Sequence, residues 1–354
     1  MPGFAIETDG RSITALGPLK PAQKADHHLR LIAPGLTDLQ VNGGGGVLFN
    51  ADPTEAGLRA IRKAHLALGT AAIFPTVITD APEVMETAAD AVIALRDEPG
   101  IAGIHLEGPH IAVERRGTHD AGFIRPLDTR TLAVLRRLRK AGVPVILTLA
   151  PELADAAMLH EAAALGVVLS AGHSMASADE TRQALSRGIT MFTHLFNAMP
   201  PMQSRSPGII AAALLSDGYA GLIADGVHVD WDMIRLAMAA RPLAGRCFLV
   251  SDAMPTVGGP DHFTLYGQEI RVQNDRLVNA DGALAGAHVC LLDCVLRLHR
   301  NTGLPLGHAL SMATHIPRRA VGLPPLRIAS GMLLEDLLML DEELRLVRAD
   351  RLIA

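Results

Sequence analysis

Residues 167–194 read VVLSAGHSMASADETRQALSRGITMFTH. Two short apolar runs, 167–171 and 189–192, flank an amphipathic stretch, 178–188. That stretch closes on Gly188, as helix C-termini often do. The order is strand, helix, strand. Apolar runs of four or five residues fit strands covered by helices on both faces, as in parallel sheets. Each run is followed two residues later by a histidine, His173 and His194.

The same unit recurs on both sides. Apolar runs occupy 35–41, 71–76, 101–106, 143–149, 220–224 and 247–250, and amphipathic stretches 54–69, 82–96 and 129–142 lie between several of them. Eight strands alternating with helices predict an α/β fold, a (β/α)8 TIM barrel, with a doubly wound open sheet as the alternative. The runs finish near Asp38-Leu39-Gln40-Val41-Asn42, His105-Leu106-Glu107, His173, His194, Asp225 with His228, and Asp252. In a barrel all of these reach the C-terminal face together, whereas an open sheet would spread them along an edge. The pattern therefore favours closure.

The two ends of the chain read differently. Phe4 to Ile13 has a hairpin pattern turning at Asp9-Gly10, and 337–341 and 344–347 are strand-like. The expectation is a small β-sandwich-like domain from 1–33 and 326–354 beside a catalytic barrel over 34–325. Further strands are expected at 263–278, after the eighth barrel strand.

Composition narrows the function. Of 354 residues, 49% are hydrophobic and 19% charged, which excludes a disordered chain. A formal charge of −5 without a basic block gives nucleic acid no footing. No apolar run approaches the roughly 18 residues of a membrane span, and the first ten residues lack a secretory layout. Cys247, Cys290 and Cys294 form no recognisable framework and read as buried thiols, which fits a reducing cytoplasm.

Glu107, His173 and His194 close the third, fifth and sixth runs. One carboxylate and two imidazoles suit Zn²⁺ or Fe²⁺ and leave a coordination position for water. Any one of these histidines alone reads as well as a structural residue; the three together point to a metal. His105 should face the same way as Glu107 and stand behind it. Asp252 ends the eighth run, where a carboxylate can take a proton from water and return it to a leaving amine; its bland reading is a turn or cap. The glycine run 43–46 is either a close approach to a ligand or a flexible connection, and it lacks the spacing of a dinucleotide fingerprint.

Seven phrases then become specific in combination: Pro34-Gly35-Leu36-Thr37-Asp38, His105-Leu106-Glu107-Gly108-Pro109-His110, Gly117-Thr118-His119, Gly172-His173-Ser174, Thr193-His194-Leu195-Phe196-Asn197-Ala198-Met199, Ala224-Asp225-Gly226-Val227-His228 and Ser251-Asp252-Ala253. In this order, over roughly 30–340, the chain resembles the N-acetylglucosamine-6-phosphate deacetylases of the amidohydrolase superfamily. The resemblance implies Glu107, His173 and His194 as ligands of one divalent cation per chain. It implies Asp252 as general acid/base and His119 as the group that polarises the acetyl carbonyl. Asn197 and Ala198 match sugar contacts, and Arg205 and His228 match the phosphate-binding pair. Ala285, Gly286 and Ala287 fall in a substrate-contacting segment. Taken alone, Arg205 reads equally as a surface arginine, and His228 as a satisfied histidine at a strand end.

Two departures stand out. Gln40-Val41-Asn42 replaces the His-x-His of binuclear amidohydrolases, so Gln40 is expected at most to meet the reacting water at the substrate site. The N-terminus looks short by one β-domain strand. The implied partner is a small amino-sugar phosphate, and the implied assembly a homodimer whose second copy helps close the phosphate pocket. Alternatives are the N-acetylgalactosamine 6-phosphate epimer, another amidohydrolase, or a non-enzymatic sugar-phosphate sensor.

Overall fold

Eight short strands run parallel in the computed structural model, which describes residues 4–19, 24–280, 282 and 284–352. They are β1 (Leu36–Val41), β2 (Thr70–Ile78), β3 (Ile104–Glu107), β4 (Val145–Leu149), β5 (Val168–Ala171), β6 (Ile189–Phe192), β7 (Tyr219–Leu222) and β8 (Cys247–Leu249). Their order in the sheet follows the sequence. The ends meet just beyond β8: Val41 bridges Ala253 in parallel, Asp252 N–H donates to Gln40 O at 3.0 Å, and Asn42 N–H donates to Ala253 O at 2.9 Å. These bonds close a barrel and remove the open-sheet alternative.

The strands are apolar because both faces are covered. Every residue of β1, β2 and β4 is buried. Helices on the outside start where the sequence supplies caps. Thr54 caps Glu55–Leu66, Asp128 caps Thr129–Lys140, and Ser177 with Glu180 forms a capping box on Ala178–Ser186. Strand β2 extends two residues beyond the expected run, which moves the barrel rim on that side to Thr79.

Phe4–Thr8 pairs antiparallel with Ile13–Pro18, and Leu31–Pro34 pairs antiparallel with Leu337–Leu340. Ile13, Leu334, Leu337 and Met339 share one small core, so the two ends of the chain pack together beside the barrel. After β8, three antiparallel strands (His262–Leu265, Gln268–Gln273, Arg276–Val278) form a sheet of their own. Its apolar face, Phe263, Leu265, Ile270 and Leu277, packs on Leu48, Ile78, Met254 and Ala285. The glycine run 43–46 is not a free connection. Gly43 and Gly44 pair with Val47 and Leu48, and a Cβ on Gly43 would lie 2.3 Å from Val47 O. All three cysteines are buried and free. Among the described residues no helix is long and apolar enough to cross a membrane.

Candidate metal centre and active site

Glu107 is the last residue of β3, while His173 and His194 each lie two residues past β5 and β6. Glu107 Oε1 lies 3.3 Å from His173 Nε2 and 2.9 Å from His194 Nε2, and the two nitrogens are 3.0 Å apart. Donors about 2.0–2.1 Å from one tetrahedral ion would stand roughly 3.3 Å from each other. The triangle has that size. His173 Nδ1 lies 2.8 Å from the Arg115 carbonyl, an acceptor only, so the ring proton sits there and Nε2 offers a lone pair. The three residues are buried and form the metal-competent cluster among the described residues.

Charge supports the same fit. Glu107 is held well below the usual carboxylate range; burial opposes this, but its close contacts with the His173 and His194 imidazoles outweigh burial. His194 is raised because its bond to Glu107 and that carboxylate's charge overcome burial. A shared proton and a divalent cation are thus alternative ways of neutralising one buried carboxylate. The His105 ring is held between Leu39 O at 3.1 Å and Thr148 Oγ1 at 2.7 Å. Thr148 continues the hydroxyl chain to Thr193 and Ser170, with both links at 2.6 Å.

Asp252, three residues past β8, faces the same cavity as the ligands. Burial, then the charge of Glu107, raises its pKa above the ordinary range. Asn42 Nδ2 donates to Asp252 Oδ1 at 2.7 Å. Gln40 Nε2 donates to the same oxygen at 3.1 Å and to Glu107 Oε1 at 2.9 Å. Two amides therefore stand where a binuclear site would need ligands, and they tie the two carboxylates together by hydrogen bonds. Asn42 was legible in the sequence only as a missing ligand.

The cavity holds about 250 Å³. Glu107, His119, His173, His194, Asn197, Ala198, His228, Asp252 and Gly286 line it. His119 is buried and held neutral, its pKa pushed down to about 3 by burial and then by His173, whose ring centroid lies 4.5 Å away. His228 Nδ1 lies 2.6 Å from Asp225 Oδ2, and Asp225 Oδ1 accepts the N–H groups of Val227 and His228 at 2.8 and 2.9 Å. That turn fixes the His228 ring.

Other expected residues sit elsewhere. Gln40 is buried behind the cavity wall rather than on it. Ala285 and Ala287 are fully buried; Ala287 N–H donates to Asp252 O at 3.1 Å and its carbonyl accepts from Met254 N–H at 3.2 Å, so it braces the Asp252 turn. Only Gly286 of that segment reaches the cavity, at φ +68°, where a Cβ would lie 2.5 Å from Met254 Cγ. Arg205 is exposed on the 201–207 loop and is not among the lining residues of its own chain. Thr79, whose role no motif signalled, contacts His119. Several site residues have left-handed backbones: His173 (φ 50°), His194 (φ 26°), Ala198 (φ 52°) and Asp252 (φ 53°).

No family model matches the chain. It is 37% identical over 329 residues to the N-acetylgalactosamine-6-phosphate deacetylase of Shewanella sp. (strain ANA-3), covering 90% of this chain and 82% of that protein. It is 34% identical over 319 residues to the N-acetylglucosamine-6-phosphate deacetylase of Danio rerio, covering 84% and 78% respectively. A mutant N-acetyl-D-glucosamine-6-phosphate deacetylase from Mycobacterium smegmatis, solved in complex with N-acetyl-D-glucosamine-6-phosphate, matches with a TM-score of 0.86 at 30% identity, over 98% of this chain and 93% of that one. By sequence likeness along most of its length, by barrel and by site geometry, the chain belongs to the N-acetylglucosamine-6-phosphate deacetylases of the amidohydrolase superfamily.

Proposed function

We propose that the protein hydrolyses the acetamide of N-acetylglucosamine 6-phosphate to glucosamine 6-phosphate and acetate. The observation that carries this reading is the convergence of a Glu-His-His donor triangle, Asp252 and neutral His119 on one cavity. Glu107, His173 and His194 would hold one divalent cation, Zn²⁺ or Fe²⁺ by donor type. When bound, such a cation supplies Lewis acidity that makes water easier to deprotonate and the acetyl carbonyl easier to attack. The Gln40 and Asn42 amides support one ion per chain, since their N–H groups already satisfy the carboxylates a second ion would need.

The chain's own groups do the rest. His119 donates a hydrogen bond to the carbonyl oxygen as negative charge grows there. Both amides engage Asp252 Oδ1, which leaves Oδ2 to accept a proton from the attacking water. The C–N bond then breaks, and Asp252 returns that proton to the departing nitrogen, leaving a free amine and acetic acid, which gives up its remaining proton to solvent as acetate. Asn197 and Ala198 present the sugar. His228 takes the 6-phosphate, binding energy remote from the reacting carbon. Arg205 would join it across the pairing of two copies, in keeping with a homodimer. The barrel, expected over 34–325, would carry the chemistry, with the small β domain expected from 1–33 and 326–354 taking no part in it.

The test is acetate release from N-acetylglucosamine 6-phosphate by purified protein of known metal content. No release, with the sugar phosphate still bound, would favour a sensor. The Shewanella relative supports a second reading, the galactosamine epimer. The ratio of kcat/KM for the two sugar phosphates decides between them.

A further inference from the structure

Thr79 follows β2 directly and is fully buried. All its polar groups are engaged at the active-site rim. Its Oγ1 lies 2.7 Å from His119 Nδ1, and its backbone N–H donates to the same nitrogen at 3.4 Å. A backbone amide offers only a proton, so Nδ1 is the acceptor and the Thr79 hydroxyl donates to it as well. The ring proton then belongs to Nε2, the nitrogen left for the cavity that His119 lines.

Two features from other parts of the chain hold Thr79 in place. Gly108 follows Glu107 with φ +85°, and a Cβ there would lie 2.4 Å from Thr79 Oγ1. The hydroxyl occupies the space that a side chain at 108 would fill. On the opposite side, the Tyr266 hydroxyl donates to the Thr79 carbonyl. Tyr266 sits at the turn between the first two strands of the three-stranded sheet, with φ 48°.

We propose that Thr79 is the positioning residue of His119, fixing the tautomer whose Nε2–H points at the substrate carbonyl, with Tyr266 anchoring Thr79 to the three-stranded sheet. The other tautomer would present a lone pair to a carbonyl oxygen and could donate nothing. The kinetic consequence rests on the deacetylase reading; the tautomer itself does not.

The test combines ¹⁵N-histidine NMR on the metal-loaded protein with steady-state kinetics. His119→Gln assigns the His119 signals. Wild type should show a bare Nδ1 and a protonated Nε2. Thr79→Val should show proton population on Nδ1 and lose roughly 10–100-fold in kcat, short of the roughly 10²–10³-fold of deleting an oxyanion donor because part of the population keeps the Nε2 proton, with KM and metal content little changed. Thr79→Ser should restore both the tautomer and most of the kcat. A wild-type proton on Nδ1 overturns the proposal, as does a Thr79→Val kcat within about two-fold of wild type or a serine variant as impaired as valine. If valine prevents folding, the wild-type spectrum and the serine variant still decide. If wild type releases no acetate, the functional reading fails while the spectrum still reports the tautomer.

Discussion

Asn42→Ala removes the Nδ2 donor that meets Asp252 Oδ1 at 2.7 Å and leaves Gln40 in place. A hydrogen bond to a charged group contributes about 1.5–3 kcal/mol, and this one favours the ionised carboxylate. One pKa unit is 1.36 kcal/mol, so its loss should raise the Asp252 pKa by roughly 1–2 units. Asp252 is already raised by burial and by Glu107, and the Asn42 bond works against that rise. As a general base Asp252 must be ionised, which holds above its pKa. The acid limb of kcat/KM against pH should therefore move to higher pH by roughly 1–2 units, with the plateau above it within a few-fold of wild type. A bound cation lowers the limb of both proteins together and leaves the difference. Acetate release measured between about pH 5 and 9 gives the profiles, with metal content as control. An unmoved limb with activity depressed at every pH would refute the reasoning and reduce Asn42 to a shape-keeping residue.

Asp252→Asn should keep its metal and lose turnover by about 10²–10⁴-fold; near-normal turnover would remove Asp252 as the proton carrier. Arg205→Ala should weaken use of the 6-phosphorylated sugar by a contact of about 1.5–3 kcal/mol and spare unphosphorylated N-acetylglucosamine, whereas equal loss on both would assign Arg205 to folding or site shape. Elemental analysis of dialysed, fully active protein should find about one divalent ion per chain. Activity that tracks a second ion would mean that the Gln40 and Asn42 amides do not exclude it.

The barrel was legible because its strands are covered on both faces. Wholly buried segments such as β1 and β4 must be continuously apolar, and the polar residues that end them are conspicuous. By the same logic the sequence alone places Glu107, His173, His194 and Asp252 at one face of the barrel. What was hidden depended on side-chain direction and strand length. Gln40 reads as a substrate contact from its position, yet its amide faces two carboxylates inside the wall. Ala285 and Ala287 flank the residue that reaches the cavity and act through their backbones. Thr79 reaches the rim only because β2 runs to Ile78, two residues past the apolar run that announced it. Nothing in a lone threonine signals a histidine forty residues later in the chain.

The left-handed backbones at His173, His194, Ala198 and Asp252 set working sequence against durable sequence. Each such residue costs on the order of 1–3 kcal/mol relative to glycine, which tolerates that conformation. Random mutagenesis screened by heat resistance alone would accordingly accept glycine at these positions, since the relaxed backbone offsets part of what the lost side chain contributed. The survivors would keep their fold and be inert. Any programme to harden this protein has to select on turnover at every round, because heat resistance alone passes variants that have surrendered the chemistry.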